Sequence, residues 1–291
     1  MARSNLAFQP REGDMVSTSL INNYSIEITA KDAAALTEAR DLIAPGTQVS
    51  VTFLPGEEMP ARVAAAKQVK ALGFVPVSHI SARRIKSEAE LEQFLDALVS
   101  EAEITNVFVV AGDPDKPEGP YNDALAVIQS GLLEKYGIRK VGISGYPEGH
   151  PQIGMPQLWK ALTDKQAILQ EKGLDFDVTT QFAFDADPVV RWIEDVRAAG
   201  VHAPLRVGIP GPASVKTLMR FAARCGVGTS TKVMAKYGLS IGKLLSNAGP
   251  DSLVRDLETA IDPARHGDVR LHFYPFGGLA KTGEWIREYS K

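Results

Sequence analysis

Six polar residues of this chain each close a short apolar run, and together they could carry acid–base chemistry and the recognition of a planar ligand. They are Glu27, Thr52, His79, Asp113, Tyr146 and Gln181. A carboxylic acid or an imidazole can transfer a proton to or from a reacting group. Carboxylate, amide, hydroxyl and phenol groups can hydrogen-bond the edge of a heterocycle. We therefore predict an active site that is built from strand ends.

The apolar runs before these residues alternate with segments of helical periodicity. Eight runs are strand-like, at 25–28, 48–53, 74–80, 106–112, 140–146, 176–182, 205–211 and 268–276. Helical spacing of apolar residues occurs at 60–72, 87–101, 123–136, 158–172, 188–199 and 214–224. Nearly continuous apolar runs are typical of parallel strands buried on both faces. The pattern predicts a (β/α)8 TIM barrel, an α/β fold whose active sites lie at the C-terminal strand ends.

We expect a single catalytic domain over residues 23–291, preceded by an N-terminal extension over residues 1–22. A length of 291 residues suits one α/β barrel. Residues 226–261 contain short helical pieces interrupted by Gly238, Gly242 and Gly249, which is more than one barrel helix requires. The barrel is therefore predicted to be elaborated after its seventh strand.

Composition and charge argue against several functions. The 32 basic and 35 acidic residues give a net charge of −3, which offers no attractive field for nucleic acid or an anionic membrane. No apolar run reaches the roughly 18 residues of a membrane helix, and the polar N-terminus lacks the core of a signal peptide. A single cysteine, Cys225, and five histidines without ligand spacing predict no metal site. We expect a cytoplasmic protein that binds small molecules.

Seven segments, in the same order along the chain, resemble the methylenetetrahydrofolate reductase family. Two of them are fairly specific: Tyr-Pro-Glu-Gly-His-Pro at 146–151 and Thr-Gln-Phe-Ala-Phe-Asp at 180–185. The others are Tyr-Ser-Ile-Glu at 24–27, Val-Ser-Val-Thr at 49–52, Val-Ser-His-Ile at 77–80, Gly-Asp-Pro at 112–114 and His-Phe-Tyr at 272–274. The resemblance covers the chain from about residue 24 to about residue 285.

The resemblance implies a flavoprotein that reduces 5,10-methylenetetrahydrofolate to 5-methyltetrahydrofolate with NADH or NADPH, in a ping-pong mechanism. Glu27 matches the family's general acid, which opens the imidazolidine ring of the folate. Asp113 matches an aspartate that lies near the flavin and hydrogen-bonds the pterin. Gln181, Phe221 and Thr217 match positions that hold the folate and the nucleotide in turn.

The resemblance also implies an FAD site at the barrel mouth and on the helix before the sixth strand. Its residues are Thr52, His79, Gly112, Asp113, Tyr121, Tyr146 and His150, with Asp164, Lys165 and Lys172 on the helix. No Gly-x-Gly-x-x-Gly fingerprint follows a strand, so the FAD prediction rests on the resemblance. Structural alternatives are a core histidine for His79, a turn residue for Asp113, an interior amide for Gln181 and solvent-facing lysines.

The chain departs from the family at several positions. Ala111 stands where many members have arginine before Gly-Asp, Thr217 stands where they have glutamine, and Ile28 begins a segment that replaces Phe-Phe-Pro-Pro. Two alternatives stay open: a flavin-free pterin barrel that transfers a methyl or one-carbon group, and a non-catalytic folate-binding protein. The sequence also leaves open the electron donor and whether the chain forms a homo-oligomer.

Overall fold

A computed structural model describes residues 19–227 and 247–291 of the chain. Within them, eight parallel strands close into a barrel, and the last strand pairs with the first. The barrel strands are β1 (Ser25–Ile28), β2 (Gln48–Val51), β3 (Val75–Ser81), β4 (Asn106–Val110), β5 (Lys140–Gly145), β6 (Asp175–Phe182), β7 (Leu205–Pro210) and β8 (Val269–Tyr274). The predicted (β/α)8 barrel is confirmed.

Helices connect the strands and surround the barrel. The described helices are α1 (Ala33–Glu38), α2 (Met59–Ala71), α3 (Glu88–Ala102), α4 (Ala124–Gln129), α5 (Leu132–Lys135), α6 (Met155–Glu171), α7 (Ala186–Ala198), α8 (Val215–Cys225), α9 (Asp251–Ala260), α10 (Pro263–His266) and α11 (Leu279–Tyr289). The prediction of one helix over 123–136 is wrong. That segment forms α4 and α5, because Gly131 adopts a left-handed conformation between them, with φ of 79°.

Side chains of the barrel strands alternate between two environments. Those that face the helices are mostly apolar and buried, as are Ile26 and Val49, which are both 0% exposed. Those that face the lumen are largely polar, and Ser25, Ser50 and Thr179 line a lumen cavity of about 20 Å³. A polar lumen departs from the branched apolar filling that is usual in such barrels.

The N-terminal end of the lumen, which we call the base, contains a buried ionic cluster. Asp177 on β6 accepts a hydrogen bond from Nε of Arg206 on β7 at 3.1 Å, and its Oδ2 atom is 2.7 Å from Nζ of Lys140 on β5. The side chains of Asp177 and Arg206 are 7% and 4% exposed. The Asp177 carboxylate is therefore shared by two cations, Lys140 and Arg206.

Two predicted accessory segments are only partly described. Of the N-terminal extension, residues 1–18 lie outside the described residues, whereas Leu20 and Ile21 are buried in the main core. Of the elaborated segment, residues 228–246 lie outside them. The remainder forms α9 and a short antiparallel pairing of Ala213–Ser214 with Asn247–Ala248. None of the helices in the described part of the chain is long and apolar enough to cross a membrane.

Candidate active site

Glu27 lies between two histidines at the C-terminal end of the barrel, which we call the mouth. Its Oε2 atom is 3.8 Å from Nε2 of His79 on β3 and 3.8 Å from Nε2 of His272 on β8. Both distances exceed the length of a hydrogen bond, so neither imidazole engages the carboxylate directly. The Glu27 side chain is 22% exposed and therefore accessible to a ligand.

The imidazole of His79 is held in its neutral form. Burial lowers the pKa of His79 to about 4, although the Glu27 carboxylate opposes this shift. The ring also packs against Phe108, with ring centroids 4.7 Å apart. At neutral pH, His79 therefore offers one hydrogen-bond donor and one acceptor beside the carboxylate.

The imidazole of His272 is fixed by its neighbours. Its Nδ1 atom lies 2.8 Å from Oγ of Ser25, and its ring meets that of Tyr274 edge to face at 4.9 Å. Because one ring nitrogen is engaged by Ser25, the other is presented to Glu27. Neither His272 nor Tyr274 has an assigned role in the sequence-based prediction. The available signal is their alternation with the buried apolar residues of β8, which places both in the lumen.

Gln181 is positioned by an irregularity in β6. Thr179 pairs with Arg206 and Phe182 pairs with Gly208, so two residues of β6 lie opposite one residue of β7. This arrangement is a β-bulge, a feature that is frequent beside active sites because it re-aims side chains. The Gln181 side chain accepts a hydrogen bond from its neighbour Phe182 N–H through Oε1 at 3.1 Å, which occupies only part of the bonding capacity of the amide.

An aromatic wall, formed by Phe182, Phe221, Tyr274 and Phe276, borders one side of the mouth. Phe276 stacks on Phe221 with centroids 4.0 Å apart and an interplanar angle of 11°, and it meets Phe182 edge to face at 4.9 Å. Phe221 is only partly buried, so the wall offers apolar surface to a flat ligand. Thr217, one turn earlier on α8, accepts a hydrogen bond from Ser214 Oγ at 2.9 Å.

The loop after β4 brings Gly112 and Asp113 to the mouth. Gly112 has φ of 92°, and a Cβ at this position would lie 2.0 Å from Oγ of Ser81. Only glycine therefore fits this turn. The Asp113 side chain is 74% exposed, and its Oδ2 atom is 3.9 Å from Nη2 of Arg84. Arg83 holds the rest of the loop, since its Nε donates to the carbonyl of Asn122 at 2.8 Å.

Thr52, Tyr146 and His150 complete the mouth. Thr52 is 7% exposed, and its Oγ1 atom has no hydrogen-bond partner among the described residues. The rings of Tyr146 and His150 meet edge to face at 5.3 Å. Burial raises the pKa of Tyr146 and lowers the pKa of His150, so near neutral pH both side chains are favoured in their uncharged forms.

The four remaining residues predicted to bind FAD make contacts with other parts of the chain. Tyr121 is 5% exposed and belongs to the main core. Asp164 pairs with Lys160 on α6, and burial lowers the pKa of Lys165 to about 8. Lys172 follows the end of α6, where the chain enters the base of β6, and it pairs with Glu134. The structure therefore does not bring Lys172 to the mouth.

The mouth residues fit the ring end of the FAD that the resemblance implies. Thr52 Oγ1 is a buried polar atom without a partner, and such atoms in native proteins usually have one. Uncharged His79, Tyr146 and His150 add donors and acceptors that suit the edge of an isoalloxazine. The fit is poorer for the phosphate end, because Lys165 is buried and Lys172 lies at the base.

Several relatives of this chain are named methylenetetrahydrofolate reductase. Methylenetetrahydrofolate reductase 2 of Saccharomyces cerevisiae is 30% identical over 53% of this chain and 25% of its own length. Methylenetetrahydrofolate reductase 1 of Schizosaccharomyces pombe is 29% identical over 67% of this chain and 33% of its own. The chain thus spans a quarter to a third of the length of these relatives.

One solved structure is weakly similar to this chain. The dihydropteroate synthase of Burkholderia cenocepacia covers 92% of this chain and 91% of its own, with 12% identity and a TM-score of 0.47. A likeness of this strength does not bear on function. The model of the protein family described as methylenetetrahydrofolate reductase matches residues 23–261. Because that match covers most of the barrel, the chain belongs to the methylenetetrahydrofolate reductase family.

Proposed function

We propose that this protein reduces 5,10-methylenetetrahydrofolate to 5-methyltetrahydrofolate, with FAD as cofactor and NADH or NADPH as electron donor. The observation that carries the proposal is the placement of Glu27 at the mouth, 3.8 Å from both His79 and His272. A barrel mouth is where such folds perform chemistry. Membership in the family supports the choice of substrate.

Glu27 is the proton donor of the proposed reaction. Opening the imidazolidine ring requires a proton on the departing amine nitrogen, and the folate is left with an iminium carbon that accepts hydride. A carboxylic acid at the mouth can supply this proton. His272, which is fixed by Ser25, and neutral His79 orient the acid from either side without engaging it in an ion pair of hydrogen-bond length.

The folate is held by polar groups on one side and by rings on the other. The exposed Asp113 carboxylate can accept two hydrogen bonds from the aminopyrimidine edge of a pterin. Gln181 supplies an amide that both donates and accepts. Phe221, which stacks on Phe276, provides apolar surface for the planar part of either ligand.

FAD is proposed to lie between the ends of β2 and β5, where Thr52, His79, Gly112, Tyr146 and His150 would hold its ring. When bound, a flavin supplies the two-electron relay between the pyridine nucleotide and the folate. Thr52 contributes the hydroxyl that has no partner among the described residues. The two ligands use the same mouth in turn, which is the structural requirement of a ping-pong mechanism.

The test is an absorbance spectrum of purified protein, followed by anaerobic addition of NADH or NADPH and then of methylenetetrahydrofolate. We expect flavin bands that bleach with the nucleotide and return with the folate. A protein that is colourless and binds no added FAD would contradict the proposal. That outcome would favour the flavin-free pterin barrel, which needs Asp113 and Gln181 but not Thr52 or His79.

A further inference from the structure

At the β-bulge of β6, side chains bond to two backbone groups, the Gly208 N–H and the Thr180 carbonyl. The residues Thr180 and Gln181 together lie opposite Val207, between the pairs Thr179–Arg206 and Phe182–Gly208. A bulge interrupts the regular ladder at this point. Buried backbone groups need partners, and side chains can supply them where the ladder is irregular.

Side chains supply both bonds. The Gly208 N–H donates to Thr180 Oγ1 at 2.9 Å, and the same hydroxyl donates to the Gln181 carbonyl at 2.8 Å. The hydroxyl of Tyr274 on β8 donates to the Thr180 carbonyl at 3.0 Å. The two residues of the bulge are thus tied to β7 through Thr180 and to β8 through Tyr274.

Gly208 makes the close approach of the two strands feasible. A Cβ at Gly208 would lie 2.7 Å from the Phe182 nitrogen, 2.7 Å from the Thr180 carbonyl oxygen and 2.8 Å from the Gln181 carbonyl carbon. All three atoms belong to the backbone, so they cannot move aside as a flexible side chain would. Glycine inside a strand often marks such an approach.

Tyr274 is suited to be a permanent donor. Burial raises its pKa well above the usual range, and the Glu27 carboxylate raises it further, so the phenol keeps its proton at physiological pH. The centroid of its ring lies 4.9 Å from that of His272 and 5.6 Å from that of Phe182. Tyr274 therefore touches the bulge through its hydroxyl, and its ring touches the histidine beside Glu27.

We propose that Tyr274 is a positioning residue for Gln181: its hydroxyl holds the bulge of β6 in the shape that presents the Gln181 amide to the folate. The inference rests on the proposed function for the identity of the ligand. Thr180 acts in the same way from the β7 side. Neither residue needs to touch the substrate for its loss to weaken folate recognition.

The first experiment measures the bulge itself. Amide hydrogen exchange is compared for wild type, Tyr274→Phe and Tyr289→Phe over the peptide that covers residues 179–184. Tyr289 is the matched control, because its hydroxyl donates to Glu258 at 2.8 Å and lies outside the proposed site. We expect about fivefold faster exchange in Tyr274→Phe and none of this change in the control. Unchanged exchange in Tyr274→Phe would overturn the inference.

The second experiment is a double-mutant cycle on the holoenzyme, with Tyr274→Phe, Gln181→Ala and the double variant. We expect Tyr274→Phe to lower kcat/KM for methylenetetrahydrofolate about fivefold to tenfold in the wild-type background, the amount that one lost hydrogen bond implies. In the Gln181→Ala background it should have little further effect, since residues that act through one another are not additive. Equal losses in both backgrounds would overturn the inference and leave the proposed function intact.

The same cycle identifies a failure of the proposed function. If exchange at the bulge rises in Tyr274→Phe while Gln181→Ala leaves folate kinetics unchanged, the role of Gln181 in the proposed function is wrong, and the inferred positioning for folate falls with it. If Tyr274→Phe does not fold, Thr180→Val replaces it in both experiments. That variant removes the hydroxyl that accepts a hydrogen bond from the Gly208 N–H. The same results for hydrogen exchange and for kcat/KM would support or overturn the inference.

Discussion

The polar groups at the two ends of the barrel lumen differ in how they are bonded: those at the base bond to one another, whereas several at the mouth do not. At the base, Asp177 is bonded to Arg206 at 3.1 Å and lies 2.7 Å from Lys140. At the mouth, Glu27 is 3.8 Å from the nearest imidazole nitrogens, and the Thr52 hydroxyl has no partner among the described residues. Both ends belong to the same eight strands, so the difference comes from side chains and not from backbone architecture.

Because of this difference, we expect residues at the base to matter mainly for stability and residues at the mouth to matter mainly for ligand binding. Buried polar groups that bond to one another have less bonding capacity for a ligand, and removing one of them leaves its partner buried and unpaired. Groups held near each other without bonding are costly in the free protein, and the cost is recovered when a ligand supplies the missing bonds. Barrel enzymes commonly divide the two tasks between their ends. The comparison can be tested by changing one residue at a time.

The largest effect is expected from Glu27→Gln. The amide cannot donate a proton as an acid does, so folate reduction should fall by about 100- to 10,000-fold. Reduction of the proposed flavin by NADH or NADPH should persist, since it does not require this proton. Stopped-flow measurement of the two half-reactions checks the prediction. Comparable losses in both would show that Glu27 has a general structural role.

The next effect concerns the base. Asp177→Ala leaves Arg206 and Lys140 without their buried partner, and breaking a buried pair in this way costs about 3–5 kcal/mol. We expect that loss in the free energy of unfolding in urea. The matched control is Asp268→Ala, which breaks the more exposed pair with Arg270 and should cost at most about 1 kcal/mol. Similar losses of unfolding free energy in the two variants would contradict the idea that the buried pair at the base matters more for stability than the exposed pair.

The third prediction uses pH. The folded pKa of His79 is about 4, below the unfolded value of 6.5, so the unfolded chain binds the proton more readily. Stability from this residue is present above pH 6.5 and is lost as the pH falls toward 4. Between pH 7.5 and pH 5 the loss is about 2 kcal/mol from His79.

Urea titrations of wild type and His79→Phe at both pH values check this contribution. The variant lacks the imidazole, so its stability should fall by about 2 kcal/mol less than that of wild type over the same interval. Equal pH dependence in the two proteins would mean that His79 is not the residue that couples stability to protonation.

The smallest effects compare two threonines. Thr47→Val at the base removes a hydroxyl that donates to the Ala44 carbonyl at 2.7 Å and should destabilise the protein by about 1 kcal/mol. Thr52→Val at the mouth removes a hydroxyl without a partner among the described residues, so stability should hold or rise. Its effect should instead be a flavin affinity lower by about fivefold. A loss of stability in Thr52→Val together with unchanged stability in Thr47→Val would contradict the comparison.

Much of the fold follows from the sequence because its signals are local. Buried parallel strands give short apolar runs, and every barrel strand begins within one residue of its predicted start. The approach of Glu27 to His79 is consistent with the same logic, since polar residues at the ends of parallel strands face a common mouth. The split of the helix over 123–136 depends on one glycine, Gly131, whose left-handed conformation the helical periodicity does not reveal.

The rest depends on contacts between distant parts of the chain. His272 reaches Glu27 only because β8 closes the barrel against β1. The bulge at Gln181 needs Gly208 and Tyr274, which lie on two other strands. Lys172 has a charge suited to phosphate, but its position at the base follows from where α6 ends. Residue type alone contains none of this information.

The bulge of β6 also resets the alternation of that strand. Below it Thr179 shares the lumen register with Arg206, and above it Phe182 shares that register with Gly208. With a strict period of two, Phe182 would face the helices instead. Deleting a single residue at 180 or 181 would place Phe182 two residues after Thr179, so regular alternation would keep Phe182 in the lumen register without a bulge. Such a deletion should therefore preserve the orientation of the rest of β6 and remove the bulge on which the position of Gln181 depends.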